Sequence, residues 1–278
     1  MLFYGTVEEL LDLLSGRDER MHLDRAALLL AAIEYPGLDP RPYLTMLDHH
    51  AAEVAARLDA AADGVEFVSA ANRYLFDEQG FAGDSQDYYD PRNSCLNEVL
   101  IRRAGIPITL SLVYLEIARR LDRPLFGIGL PGHFLVQYDD GAFATFIDPF
   151  HAGALLGPAD CFRVARETTK TAIRDDPALL ARVTRSQIVL RMANNLRAVY
   201  LMRRAYNKAL QVLNLLLAGD PASAEQYKQR ALVHARMNRM SAARADLEHY
   251  LELAPAAPDR DEIEKQIRNL RKYIAGMN

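Results

Sequence analysis

His133 and Asp148 are the residues whose type and spacing come nearest to working chemistry. They stand 15 positions apart, in GLPGHFLVQY and FATFIDPF, with a turn-forming DDG between the two runs. Alternation on either side of that turn predicts a hairpin, which brings an imidazole and a carboxylate near the ends of neighbouring strands. A carboxylate so placed orients the ring, or the pair simply orders a strand end. His151 flanks the same strand pair, so His133, Asp148 and His151 are also a conceivable metal set. The third ligand is not a firm one, and neither a metal nor a cofactor is expected. Two nearby side chains are weighed as nucleophiles. Cys95 stands on an apolar helix face, where cysteine is usually packing. Ser111 needs His133 within hydrogen-bond reach and more commonly bonds a carbonyl of the preceding helical turn, as does Thr109.

The elements that must position these groups read as follows. A helix from about Asn93 to Arg103, capped by Asn93 or Ser94, turns Leu96, Val99 and Leu100 inward and stops at Gly105. Pro107 opens a second helix, ITLSLVYLEIARRL, that ends near Leu121. Ser111 is four residues on and shares the face of Pro107. Leu125 to Gly129 is a short strand. HFLVQY is the next, with His133, Leu135 and Gln137 on one face, and Ala142 to Ile147 returns to deliver Asp148. A short helix begins near Pro158, with Cys161 in its core.

Upstream, the chain is helical. Thr6 and Glu9 form a capping box ahead of Leu10, Leu11, Leu13 and Leu14. Further helices are predicted over Leu23–Ile33, from an Asp39 cap and Pro40 through Leu58, and over Val65–Phe76. His49 and His50 are helix neighbours that point in different directions, so they do not share a metal. Residues 77–92 form a polar loop whose Tyr88 and Tyr89 cover a groove or pin the loop to the core.

The 278 residues are half hydrophobic and a quarter charged, ordinary for a globular protein. Two cysteines fit no disulfide framework and no metal spacing, which points to a reducing compartment, the cytoplasm. MLFYGTVEELLDLL has no basic leader region, and no apolar run reaches spanning length. Residues 183–278 hold 16 Lys and Arg against 9 Asp and Glu, while residues 1–182 hold 17 against 28. The basic tail therefore suits an acidic partner or the acidic body of the same chain. No DNA-reading motif is present, and the acidic body disfavours nonspecific nucleic-acid binding.

The tail repeats itself. Ala209 and Ala243 are 34 residues apart, as are Leu213 and Leu247, and Asp220-Pro221 recurs as Ala254-Pro255. That period, with a small residue inside the second helix and Pro at the end, is the tetratricopeptide (TPR) signature. Glu262 to Ile274 is then a capping helix.

The phrases ALLLAAIEYPGLDP, YYDPRNSCLNEVLIRRAGIPITLSLVYLEIARRL, GLPGHFLVQY and FIDPFHAG carry a resemblance. The chain resembles the transglutaminase-like superfamily, and more closely a bacterial family of regulators of SirC expression with transglutaminase-like and TPR domains. The resemblance implies a mostly helical α+β protein. Its parts are a helical region over 1–90, a papain-like core over 91–176 and TPR helices over 177–278. It implies that His133 and Asp148 match a catalytic His and Asp. In an active member a Cys thiolate at a helix start attacks an amide carbonyl, the His holds the thiol proton and the Asp orients the ring. Here that helix start is Pro107, which has no nucleophile. The expectation is a non-enzymatic interaction or regulatory protein that binds a protein or peptide through its tail. The alternative is a hydrolase or acyltransferase on protein amides with an atypical nucleophile, Ser111 or Cys95. Asn93, Asn97, Arg103, Tyr88 and Tyr89 are candidate binding residues around the pair. A pocket is expected between His133, Asp148 and the turn after Gly105, where free helix-start N–H groups suit an anion.

Overall fold

The structure, a computed structural model, describes Leu10 and residues 21–277. The Thr6–Glu9 capping box and Leu11, Leu13 and Leu14 lie outside the described residues. Helix dominates, around one small antiparallel sheet. The chain divides into two compact units after Met192, with Leu10 assigned to the second.

In the first unit, α1 (Leu23–Ala31), α2 (Arg41–Ala55) and α3 (Gly64–Asn72) lead the core. Pro40 stands at the cap position of α2, and the Asp39 carboxylate accepts from the backbone N–H and the guanidinium of Arg41. Asp63 caps α3 through the N–H of Glu66, whose carboxylate returns to the N–H of Asp63. The helix expected to continue to Phe76 widens into a π-helical stretch, Arg73–Glu78.

The loop that follows is less irregular than its sequence implies. β1 (Ala82–Gly83) pairs in parallel with β2 (Ala104–Gly105). Asn93 brackets it: its amide nitrogen donates to Asp84 and to the Asp87 carbonyl, and its oxygen accepts from Arg102. The helix expected from Asn93 starts later. Asp90 accepts from the Arg92 N–H and Pro91 fixes φ, which favours a 3-10 turn over Pro91–Ser94. Cys95 is then extended (φ −104°, ψ 116°), and α4 runs Leu96–Arg102. Arg103, in the left-handed region at φ 57°, ends it.

α5 (Pro107–Arg120) is the central helix, with every residue from Pro107 to Ala118 buried. Such a helix is apolar nearly all round, as its sequence is. Its charged exception is Glu116, 1% exposed, which meets Arg119 and Arg120 at 2.7 and 2.6 Å. Arg120 also reaches Asp24 of α1 at 2.7 Å, tying the two helices together.

The sheet follows: β3 (Leu125–Ile128), β4 (Leu135–Asp139), β5 (Ala144–Asp148) and β6 (Ala154–Leu156), antiparallel in that order. Val136 pairs with Ile147 and Tyr138 with Thr145. β6 has too few residues to show a period and was not expected. α6 (Pro158–Thr169) starts at the expected proline. Cys161 is in a cluster with Ile128, Leu130, Leu135 and Phe146, and burial, then the Asp160 charge, pushes its thiol up to about 12.

α7 (Arg185–Met202) spans the division between the units. α8 (Tyr206–Gly219), α9 (Ala224–Arg236), α10 (Met240–Leu253) and α11 (Arg260–Met277) build the second. α8 and α10 begin and end 34 residues apart, so the sequence period is a structural one. Leu196, Ala209, Leu213, Ala243 and Leu247 are all buried. Ala231, Leu247, Tyr250, Ile263 and Ile267 pack α9, α10 and α11 into one cluster. Between α9 and α10, Arg230 forks onto buried Asp246 with contacts of 2.8 and 2.7 Å.

Candidate functional site

His133 does not lie in a strand. Pro131 and Gly132 turn the chain, with Gly132 at φ 69°, and the His133 N–H closes the turn on the Leu130 carbonyl at 3.2 Å. A Cβ at Gly132 would also press on Thr168 and Thr169 at 3.0 Å, so the turn requires glycine. β4 begins two residues later. The expected in-strand position is thus corrected: the turn ahead of β4 carries the ring. Arg191 of α7 fastens this turn from outside, donating to the carbonyls of Leu130 (2.8 Å) and His133 (2.6 Å).

Asp148 ends β5 and caps the following 3-10 turn, Pro149–His151. Its Oδ1 accepts from the N–H groups of Phe150 (3.1 Å) and His151 (3.3 Å). That fixes the carboxylate and leaves Oδ2 to the imidazoles. His133 Nε2 lies 2.8 Å from Oδ2, and His151 Nδ1 lies 2.7 Å from the same atom. The rings of His133 and His151 stack, with centroids 5.7 Å apart and planes 30° apart. Burial pushes the Asp148 carboxyl up, but hydrogen bonds and charge from His133, then from His151, outweigh it and hold it below the usual carboxylate value. His133 and Asp148 are buried, whereas the His151 side chain is 60% exposed.

Aromatic packing sets the walls. Phe150 stands edge-on to His133, with centroids 6.0 Å apart, and Tyr88 meets Phe150 at 6.2 Å. Tyr88 is half-buried and Tyr89 is exposed, so the first pins the loop and the second points out. Gly83 of β1 passes so close to Phe150 that a Cβ there would lie 2.5 Å from its ring. Behind the turn, Asn72 Nδ2 holds the Gly153 carbonyl at 2.8 Å.

The remaining sequence candidates are placed as follows. Cys95 is fully buried at the start of α4, beside Tyr35, whose hydroxyl pKa is raised by burial, then by Glu98 and Cys95. Ser111 is fully buried on α5, and its Oγ makes no hydrogen bond, neither to His133 nor to a preceding carbonyl. Asn93 is the loop bracket described above. Asn97 is buried, with Oδ1 unpartnered. Arg103 is exposed and donates to the Gln79 carbonyl.

The start of α5 is sealed. Pro107 is buried and has no N–H, and the Ile106 N–H is taken by Thr109 Oγ1 (3.1 Å) and the Asn93 carbonyl (3.3 Å). Thr109 in turn donates toward the Asn93 and Ile106 carbonyls. At the turn after Gly105, where an anion pocket is expected, Thr109 thus takes the Ile106 N–H, one of the donors of that turn. Arg191, Phe150 and Asp84 were not singled out from sequence. Phe150 stands inside the FIDPFHAG phrase, but nothing local marks Arg191 or Asp84.

The second unit holds a cavity of about 620 Å³ along α9, α10 and α11. Ala235, Ala243, Leu247 and Leu270 line it, with Leu232 and Tyr273 half-exposed at its edge. Small residues on facing helices leave this groove open.

A buried His–Asp pair beside a central helix, followed by helix pairs of period 34, defines a class. Residues 41–194 match the transglutaminase-like superfamily and residues 196–268 match the tetratricopeptide repeat. Relatives match over most of the chain. A UPF0162 protein of Xylella fastidiosa is 34% identical over 258 residues, 91% of either chain, and one of Pseudomonas aeruginosa is 32% identical over 232 residues, 84% of either. The chain belongs to the UPF0162 family. Part of it is also similar to human F-box only protein 21, 35% identical over 140 residues, which are 47% of this chain and 21% of that protein.

Among the described residues, no helix is long and apolar enough to cross a membrane.

Proposed function

We propose that this protein is a non-enzymatic interaction and regulatory protein, a transglutaminase-like core without a nucleophile joined to a TPR tail that holds a protein segment. One observation carries the reading. The helix start that the superfamily uses for its reacting thiol is Pro107, buried and sealed by Thr109. Tetratricopeptide repeats are generally protein-interaction modules, and the groove along α9, α10 and α11 offers apolar surface to a peptide. The basic balance of residues 183–278 favours an acidic segment as the partner. A role in controlling gene expression rests on the resemblance to regulators of SirC expression. The cytoplasm suits two buried cysteines that form no disulfide.

The 2.8 Å His133–Asp148 contact supports a second reading, a hydrolase or acyltransferase on protein amides with an atypical nucleophile. One experiment separates the two. The full chain is incubated with amine and glutamine donors and with a panel of peptide amides. No turnover is expected; turnover that disappears in His133→Ala overturns the interaction reading. The partner arm is a pull-down with the full chain at rising salt. The captured acidic segment is expected to fall away as salt rises, and a yield indifferent to salt removes the electrostatic part.

A further inference from the structure

We propose that His133, Asp148 and His151 form a mononuclear site for a divalent transition metal of the zinc type, independent of any acyl-transfer chemistry. The donor atoms Nε2, Oδ2 and Nδ1 all lie within 4.8 Å of one another. Asp148 Oδ2 sits between the two imidazole nitrogens, at 2.8 and 2.7 Å. Ligands bound to one zinc at about 2.0–2.2 Å stand roughly 3.3 Å apart in a tetrahedron. The His151 ring, 60% exposed, can open its own contact by a side-chain torsion, and the buried His133–Asp148 contact widens by about half an ångström on binding. Two imidazoles and one carboxylate are a donor set that borderline metals favour over calcium or magnesium.

The surroundings support ligation beyond the three donors. Asp148 Oδ1 is held by two backbone N–H groups, so the carboxylate is already oriented and offers one oxygen. His133 is fixed by the Arg191 clamp on its carbonyl and by the edge of Phe150. Each ring that carries its proton toward Oδ2 becomes a ligand when that proton moves to the other ring nitrogen, Nδ1 of His133 and Nε2 of His151. His151 is on the solvent side, so a fourth coordination position opens outward and takes water or an external donor. The acidic balance of residues 1–182 attracts the cation.

The test uses the full chain, stripped with EDTA and dialysed. Zn²⁺ is titrated calorimetrically, and Co²⁺ is titrated while the visible spectrum is followed. One equivalent is expected to bind, with a tetrahedral cobalt spectrum and a rise in melting temperature. His151→Ala is expected to weaken binding by at least about tenfold and to abolish the melting shift, while its circular dichroism stays that of the parent. His151→Gln serves as the second variant and is expected to behave alike. His249→Ala, an exposed histidine in the second unit, is expected to bind as the parent does. Failure of the parent to bind one equivalent, or binding as tight as the parent's in both His151 variants, overturns the site. Activity plays no part in this readout, so the result is separate from the fate of the interaction reading.

Discussion

His133 Nε2 meets Asp148 Oδ2 at 2.8 Å although His133 belongs to a turn and Asp148 to a strand end. The same oxygen receives His151 from the solvent side. The two contacts are alike in length and unlike in burial, so their loss is unequal. Asp148→Ala strands a buried imidazole and two backbone N–H groups, and unfolding by urea is expected to show a loss on the order of 3 kcal/mol. His151→Ala removes only an exposed partner and is expected to cost less than about 0.5 kcal/mol. Equal costs for the two variants would falsify the view that Asp148 organises the turn from within.

Ser111 makes a separate case. Its Oγ is buried and lacks a partner, so its removal breaks no hydrogen bond. Ser111→Ala is expected to leave stability unchanged or raise it by about 1 kcal/mol, since a desolvated hydroxyl disappears. Thermal melts of parent and variant decide this. A marked drop would mean that the hydroxyl has a partner in solution and would revive Ser111 as a reacting group.

His50 supplies a pH dependence. Its Nδ1 lies 2.9 Å from the Tyr74 hydroxyl in a buried site. Burial, then the charges of His49 and Arg103, lowers its pKa to about 4. The unfolded chain binds this proton near pH 6.5 and the folded chain only near pH 4. Its contribution is thus present above pH 6.5 and is lost as the pH falls toward 4. The melting temperature of the parent should fall across that window more steeply than that of His50→Gln. Parallel curves would remove His50 from the acid response.

Ala243 tests the repeat. It is fully buried on α10 and borders the groove. Ala243→Leu is expected to overpack the helix pair and cost about 1–3 kcal/mol. Capture of a partner segment by the groove should weaken in the same variant. An unchanged melt would show that α9 and α10 are not closely packed there.

Much of this protein is legible in its residues. The 34-residue spacing of Ala209 with Ala243 and of Leu213 with Leu247 is a local packing rule, and all four side chains are buried as that rule demands. The apolar run from Pro107 predicts a central helix because a helix buried all round needs apolar residues all round. The DDG turn sets the hairpin of β4 and β5, since turn chemistry acts over a few residues. Other features depend on contacts outside any local pattern. Whether Asn93 caps a helix depends on Asp84 and Asp87 in the preceding loop, which draw its side chain aside and leave Cys95 to start α4. The β1–β2 pairing joins Ala82 to Ala104 across a loop with no period to announce it. Arg191 reaches back 58 positions to hold the carbonyl of His133. Spacing could bring His133 near Asp148, and the short 3-10 turn that Asp148 caps sets His151 on the same oxygen, while Asn72, 81 positions away, holds the Gly153 carbonyl behind it. Short-range patterns carry backbone preference and burial, whereas a contact between distant side chains has no local energy to mark it and is fixed when the chain packs.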